Sequence, residues 1–374
     1  MERPEYQSRP EIRSLQSFPS FQVIGERPKG ALEKFLSFFA DVRGGEGPGV
    51  LLMTVNVFLL LFAYYLLKTV REALILTEGG AYIKAYSSAG QAALLMLIVP
   101  IYGYVGSKVN RIGLVAGLGL FFAVNLVLFY IFGVAGAKEG VVFYIWVGIF
   151  NVFIVSQFWA FANDIYTEPQ GKRLFAMIGV GASLGAWLGA QAASELVNRL
   201  NLNPYQLQLI AAAILVVCVG IMVTVNRIQT KESIPEMAAL ADQKLGDEGG
   251  FSLVFKSRYL TWIAILTVLL NIVNSSGEFL LGSVVSAEAK TLFPTDIAAQ
   301  KQYVGAFYGS FFAGVNLLGF LLQTFAVSRL FQYIGVRGAL YVLPVIALVS
   351  YSVLAFVPLL AVVRVAKPLE NSTD

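Results

Sequence analysis

The sequence predicts an all-α, polytopic membrane protein. Three observations carry that expectation. Of the 374 residues, 57% are hydrophobic and 13% charged, and the mean hydropathy is +0.70; soluble domains are about a quarter charged. Several apolar runs reach the roughly 20 residues that a bilayer core demands. Lys and Arg are dense in alternate loops and sparse in the others, the pattern of a chain threaded back and forth through a membrane.

What the chain lacks narrows its chemistry. It has no histidine, which excludes His metal sites, His-based triads and His proton relays. Cys218 is its single cysteine, so no internal disulfide forms. No Walker A sequence is present, and no nucleophile–base pair or metal cluster falls on one face. An enzyme is not expected, nor a cofactor, a metal or a nucleic-acid partner.

Taken in order, residues 1–49 are polar and lack an apolar signal-peptide core. They read as a cytoplasmic tail ending in a short amphipathic segment, Leu32–Phe39. Spans follow at about 50–77, 82–106, 111–134, 141–166, 173–198 and 204–226, and make a first lobe over 50–226. A polar linker, 227–256, contains KESIPEMAALADQKLGDEGG. The second lobe, 257–374, holds spans at about 258–288, 301–328 and 336–356 and part of a fourth from Pro358. The basic loops include Lys108, Lys172, Arg173, Arg227 and Arg337, against Lys138, Arg199, Lys290 and Lys301 on the other side. The positive-inside rule puts the first set, the tail and the linker in the cytoplasm.

A weak internal repeat links SKVNRIGLVAGL (107–118) with SRLFQYIGVRGAL (328–340), and REALIL (71–76) with GEFLLG (277–282). Six spans, a cytoplasmic linker and a restart of the pattern resemble the two-lobe plan of major-facilitator transporters, whose halves enclose a midplane site. That plan has about twelve helices. The expectation is therefore a missing C-terminal part or an incomplete second lobe.

The first span ends in FAYYLLKTVREALIL. At 100° per residue, Tyr64, Lys68, Arg71 and Glu72 fall within about a third of the helix circumference. Charges facing lipid at this depth cost several kcal/mol, so these should face a wet cavity or each other. The bland alternative is that Lys68, about 27 Å along from Val50, snorkels to the far interface. Lys84, across the short loop TEGGAY, either joins Lys68 and Arg71 in a three-cation cluster or is an ordinary interfacial lysine. Such a cluster suits a polyanion, because Arg grips phosphate bidentately while Lys acts as a mobile point charge.

The seventh span carries a polar stripe of Asn271, Asn274, Ser275 and Glu278, read as a cavity lining or as ordinary interhelical hydrogen bonding. In FWAFANDIYTEPQGKR (158–173), Asn163, Asp164, Lys172 and Arg173 read as a cytoplasmic gate or as a capped helix end with solvated charges. Gly181, Gly185 and Gly189 recur every four residues, the small-xxx-small pattern of close helix packing. No strand precedes them, and their spacing does not fit a dinucleotide loop.

These residues together resemble the bacterial and plastid ATP/ADP translocases over most of residues 50–374. The matching features are Lys68-Thr69-Val70-Arg71-Glu72, Ile83-Lys84-Ala85-Tyr86, Phe158-Trp159-Ala160-Phe161-Ala162-Asn163 with Lys172-Arg173, and Glu278. The chain departs from the family's pattern early in the fourth span, where Tyr144, Trp146 and Val147 stand in place of an acidic residue. The resemblance implies an inner-membrane antiporter for nucleotides or other phosphate-bearing anions. Lys68, Arg71, Lys84, Tyr64 and Asn274 would bind the solute. Glu72, Glu278, Asn163, Asp164, Lys172 and Arg173 would balance charge and gate. Two alternatives stay open: a proton-coupled carrier of another solute with Glu278 or Asp164 titrating, and a non-transporting membrane scaffold. The oligomeric state is not encoded in any of these features.

Overall fold

The computed structural model describes residues 28–38, 40–106, 111–230 and 257–326, with isolated positions beyond 326 and residues 371–372. All regular structure among the described residues is helical: α1 (Ala31–Leu36), α2 (Gly47–Glu78), α3 (Gly80–Gly106), α4 (Arg111–Val134), α5 (Gly140–Ile165), α6 (Glu168–Asn198), α7 (Pro204–Thr230), α8 (Arg258–Leu292) and α9 (Ile297–Leu321). A π-helical turn, Leu322–Ala326, follows α9. Eight of these helices, α2 to α9, are long and apolar enough to cross a membrane. The protein is an all-α, multi-pass membrane protein, and the eight match the first eight expected spans. The tail 1–27, the linker residues 231–256 and the expected spans beyond 328 lie outside the described residues.

Helix ends follow local chemistry. No true loop separates α2 from α3, although the sequence suggests one at TEGGAY. Gly80, with φ +74°, turns the chain in a region that only glycine enters cheaply. Thr167 and Gln170 form a capping box at the start of α6 (Thr167 N to Gln170 Oε1, 2.9 Å), with Pro169 in the first turn. Asp296 Oδ1 accepts from Ala299 N at 2.9 Å. That cap starts α9 four residues before the expected 301.

Half of the apolar window of α2 is buried, against 6% for α3 and for α8. The charge-bearing helix is therefore central, while most of α3 and α8 faces outward. α6 crosses α2 closely because its glycines permit it. A Cβ at Gly181, Gly185 or Gly189 would run into the backbone carbonyl oxygen of Thr54, Phe58 or Phe62 respectively. Gly185→Ala should therefore destabilise the bundle by about 1–3 kcal/mol through overpacking. Gly220→Ala, where nothing lies within 4 Å, should be neutral or slightly stabilising, since alanine is the better helix former. Thermal unfolding of the two variants in lipid checks the contrast.

α9 packs along α6, α4 along α7, and α3 against both α5 and α8. The α6–α9 seam is stitched by polar groups. Ser194 Oγ and Ser310 Oγ are 2.8 Å apart. Asn316 Nδ2 donates to Ala186 O at 3.2 Å, and Gln302 Nε2 to Val197 O at 3.1 Å. Such bonds across helices are worth about 1 kcal/mol each. A separate apolar cluster, including Leu76, Leu281, Val285, Tyr308 and Phe312, joins α2, α8 and α9. It makes a dry wall beside the charges of α2.

Candidate functional site

Glu72 is the hub. It is fully buried (0% exposed) on the inner face of α2. An isolated buried carboxylate would be very costly, so it must be paired. Arg71 supplies one partner: its Nη2 and Nε lie 2.6 and 3.1 Å from Glu72 Oε1. Lys84, brought in by the tight α2–α3 corner, supplies the other, with Nζ 2.7 Å from Glu72 Oε2. The same Nζ lies 3.2 Å from Glu278 Oε2 on α8. Lys84 thus bridges carboxylates from helices 194 residues apart in the chain. Glu278 Oε1 also accepts from Asn371 Nδ2 at 3.2 Å.

Aromatic rings hold the cations from the other side. The Arg71 guanidinium lies 4.6 Å from the Tyr144 ring centre, and the Tyr144 hydroxyl is 2.7 Å from Ser88 Oγ. Lys84 Nζ is 5.5 Å from the Tyr308 ring. Lys68 Nζ sits 4.2 Å from the Phe312 ring and 5.2 Å from Tyr65. Each such contact contributes about 0.5–2 kcal/mol. Among the described residues Lys68 makes no ion pair. Among the described residues three cations therefore face two carboxylates, and Lys68, with no carboxylate at ion-pair distance, packs against rings.

The structure brings Lys68, Arg71, Glu72, Lys84 and Glu278 together. Lys84 is buried in an ion-pair network and is not an interfacial lysine. Lys68 turns inward between rings and does not snorkel. Tyr64 is buried and packs edge-on against Tyr65, 5.2 Å between centres. Asn274 is half-buried one turn from Glu278. The rest of the expected stripe is different: Asn271 and Ser275 are exposed, and Asn271 Nδ2 donates to Thr267 O of its own helix at 2.8 Å.

The other expected gating group lies elsewhere. The start of α5 meets the end of α2, where Gly140 N donates to Glu78 Oε2 at 2.7 Å. Asp164 is therefore roughly 36 Å away along α5, at the opposite end. There Asn163 is exposed, Asp164 and Arg173 are half-buried, and Lys172 pairs with Glu168 of its own helix at 2.7 Å. For Lys172 this is a solvated i,i+4 pair, worth a few tenths of a kcal/mol. Sequence reasoning missed Tyr144, Ser88, Tyr308 and Phe312, which line the cation cluster. Their only sequence signal is the spacing of Tyr308 and Phe312, four residues apart on one helical face.

The sequence profile of a family described as TLC ATP/ADP transporter matches residues 139–371, more than half of the chain. The match includes Glu278, Tyr144, Tyr308 and Phe312, whereas Lys68, Arg71, Glu72 and Lys84 precede it. No curated protein sequence matches the chain. The multi-pass helical bundle agrees with that match, and the chain belongs to the TLC ATP/ADP transporter family.

Proposed function

We propose that the protein exchanges nucleotides of the ATP/ADP type across the cell's inner membrane by alternating access. In this reading α2–α7 form one lobe, α8 and α9 begin the second, and the N-terminus is cytoplasmic. The observation that carries it is the excess of cation over carboxylate in this shielded cluster among the described residues, with Lys68 packed against rings and no carboxylate at ion-pair distance. A nucleotide's phosphates are the ligand chemistry that satisfies such an excess. Glu72 and Glu278 hold Arg71 and Lys84 when the site is empty, so phosphates compete with them. Lys84–Glu278 is the contact most easily given up, because Glu278 is the more exposed carboxylate, at 24%. A ligand shifts a conformational equilibrium only by its differential affinity for the two states. Loosening a contact that ties α3 to α8 gives the solute that differential.

Uptake of labelled ATP into vesicles loaded with ADP tests the reading. Uptake should require internal ADP; uptake indifferent to it refutes exchange. Lys68→Gln should lower ATP affinity about tenfold, the effect of losing one charge-assisted contact. Its melting temperature should stay near that of the unaltered protein, since no carboxylate is stranded. Unchanged affinity would remove Lys68 from the site.

A further inference from the structure

A second charged cluster lies at the end of the bundle where α2 stops and α5, α7 and α9 begin. Lys301 of α9 is its centre, with Nζ 2.8 Å from Glu78 Oε1 and 2.8 Å from the Tyr205 hydroxyl. Glu78 also caps α5 through Gly140 N, where a carboxylate meets the positive end of the helix dipole. These bonds clasp α9 to three helices of the first six spans. Both partners of the ion pair are largely shielded, at 14% and 12% exposure.

Glu139 sits inside this cluster with different surroundings. It is 5% exposed. One oxygen accepts from the neutral Gln208 amide at 3.2 Å. The other, Oε2, is buried and has no hydrogen-bond partner among the described residues. A Cβ at Gly133 of α4 would touch both Glu139 Oε1 and the Tyr205 ring, so the carboxyl is packed against the clasp. From α2 it faces Glu78, from α9 Lys301, and from α7 Tyr205 and Gln208; Lys138, its neighbour in sequence, is exposed. Lys301 is already committed to Glu78 and Tyr205. An ionised Glu139 would place a second carboxylate in the same dry pocket with no cation of its own, and like charges there repel.

We propose that Glu139 is a proton-binding site that sets the state of the Glu78–Lys301 clasp, closed on the carboxylic acid and opened on the carboxylate. The device rests on the alternating-access reading, because it needs a second arrangement in which this end is open to water. The step is a simple protonation: a proton from bulk water binds the carboxylate oxygen as the end closes and returns as it opens. Burial pushes the Glu139 carboxyl up to about 7; the Gln208 amide holds it down, the Glu78 carboxylate raises it further, and Lys301 again lowers it. A hydrated glutamate titrates near about 4.3. The acid form therefore favours closure fully below the ordinary carboxylate range. That preference is lost as pH rises through about 7. Between about 4.3 and about 7 each pH unit lowers the closed-to-open ratio up to about tenfold, and above about 7, where both arrangements carry the carboxylate, the ratio levels off.

Spin labels at Ala135→Cys and Thr295→Cys, both exposed positions, report the separation across this end in lipid nanodiscs without nucleotide. Cys218 is buried and stays unlabelled. The short-distance population should be largest at pH 4.5, and a longer one should grow as the pH rises to about 7 and hold steady above it. Glu139→Gln, which imitates the acid, should hold the short distance at every pH. Gln208→Leu, which removes the donor that favours the carboxylate, should move the midpoint upward. Distances independent of pH in the otherwise unaltered protein overturn the proposal, as does a Glu139→Gln variant that responds with the same midpoint. ATP/ADP exchange measured on the same purified protein reconstituted into ADP-loaded vesicles separates the two readings. Exchange without a pH-dependent distance sinks the proton site alone; a pH-dependent distance without exchange keeps the proton site and sinks the nucleotide reading.

Discussion

Glu72→Ala is expected to destabilise the protein by about 3–5 kcal/mol, the usual consequence of removing one partner from a buried ion network. The carboxylate is fully buried and receives both Arg71 and Lys84. Without it Arg71 keeps the face of Tyr144, and Lys84 keeps Glu278 and the Tyr308 ring. The loss comes mainly from the cations left behind and less from the lost attraction. Glu72→Ala combined with Lys84→Met should therefore recover part of the stability, since methionine replaces the lysine stem and removes one stranded charge. Thermal unfolding in lipid reads both variants. A Glu72→Ala protein that melts with the unaltered one would show that these charges are not structurally coupled. If Glu72→Ala and Glu278→Ala together leave the protein intact and it still carries no nucleotide, the scaffold alternative gains.

Lys84→Met alone should separate folding from transport. Glu72 retains Arg71 at 2.6 Å, and Glu278 is partly exposed and bonded to Asn371. The cost to stability should therefore be smaller than for Glu72→Ala. ATP affinity should fall about 10–100-fold, as expected for losing a charge-assisted contact of about 1.5–3 kcal/mol. Lys84→Arg should rescue only in part. A guanidinium fork does not reproduce a point charge that touches two carboxylates from different helices. Equilibrium binding of labelled ATP, beside melting curves, checks both. A Lys84→Met protein with unaltered affinity and a large loss of stability would assign the lysine a structural role only.

The number and order of the first eight spans are legible in the sequence, because the bilayer imposes length and apolarity directly. The Gly181/Gly185/Gly189 repeat also signals close packing before any partner is known. What it cannot name is that partner, α2, since a small-residue face is compatible with any backbone. The Lys68–Glu72 stripe and Glu278 are conspicuous because ionisable groups in apolar runs are expensive. The rings around them are not, because aromatic residues in a membrane helix are unremarkable until geometry places a cation over them. Glu78, Glu139 and Lys301 escape notice for a related reason. Each lies at the edge of an apolar run, where a charge is ordinarily solvated. Their pairing exists only because four helix ends converge. The stripe at Asn271 and Ser275 misleads in the opposite sense, since angular spacing identifies a face without saying what lies opposite it.

The most direct test of the idea that carboxylates and phosphates compete for the same cations is the ATP affinity of Glu278→Gln in the purified, lipid-embedded protein. Removing the competitor for Lys84 should tighten binding several-fold while slowing exchange, because the empty carrier loses the contact that lets it return. Binding that is weaker than, or equal to, that of the unaltered protein would contradict it.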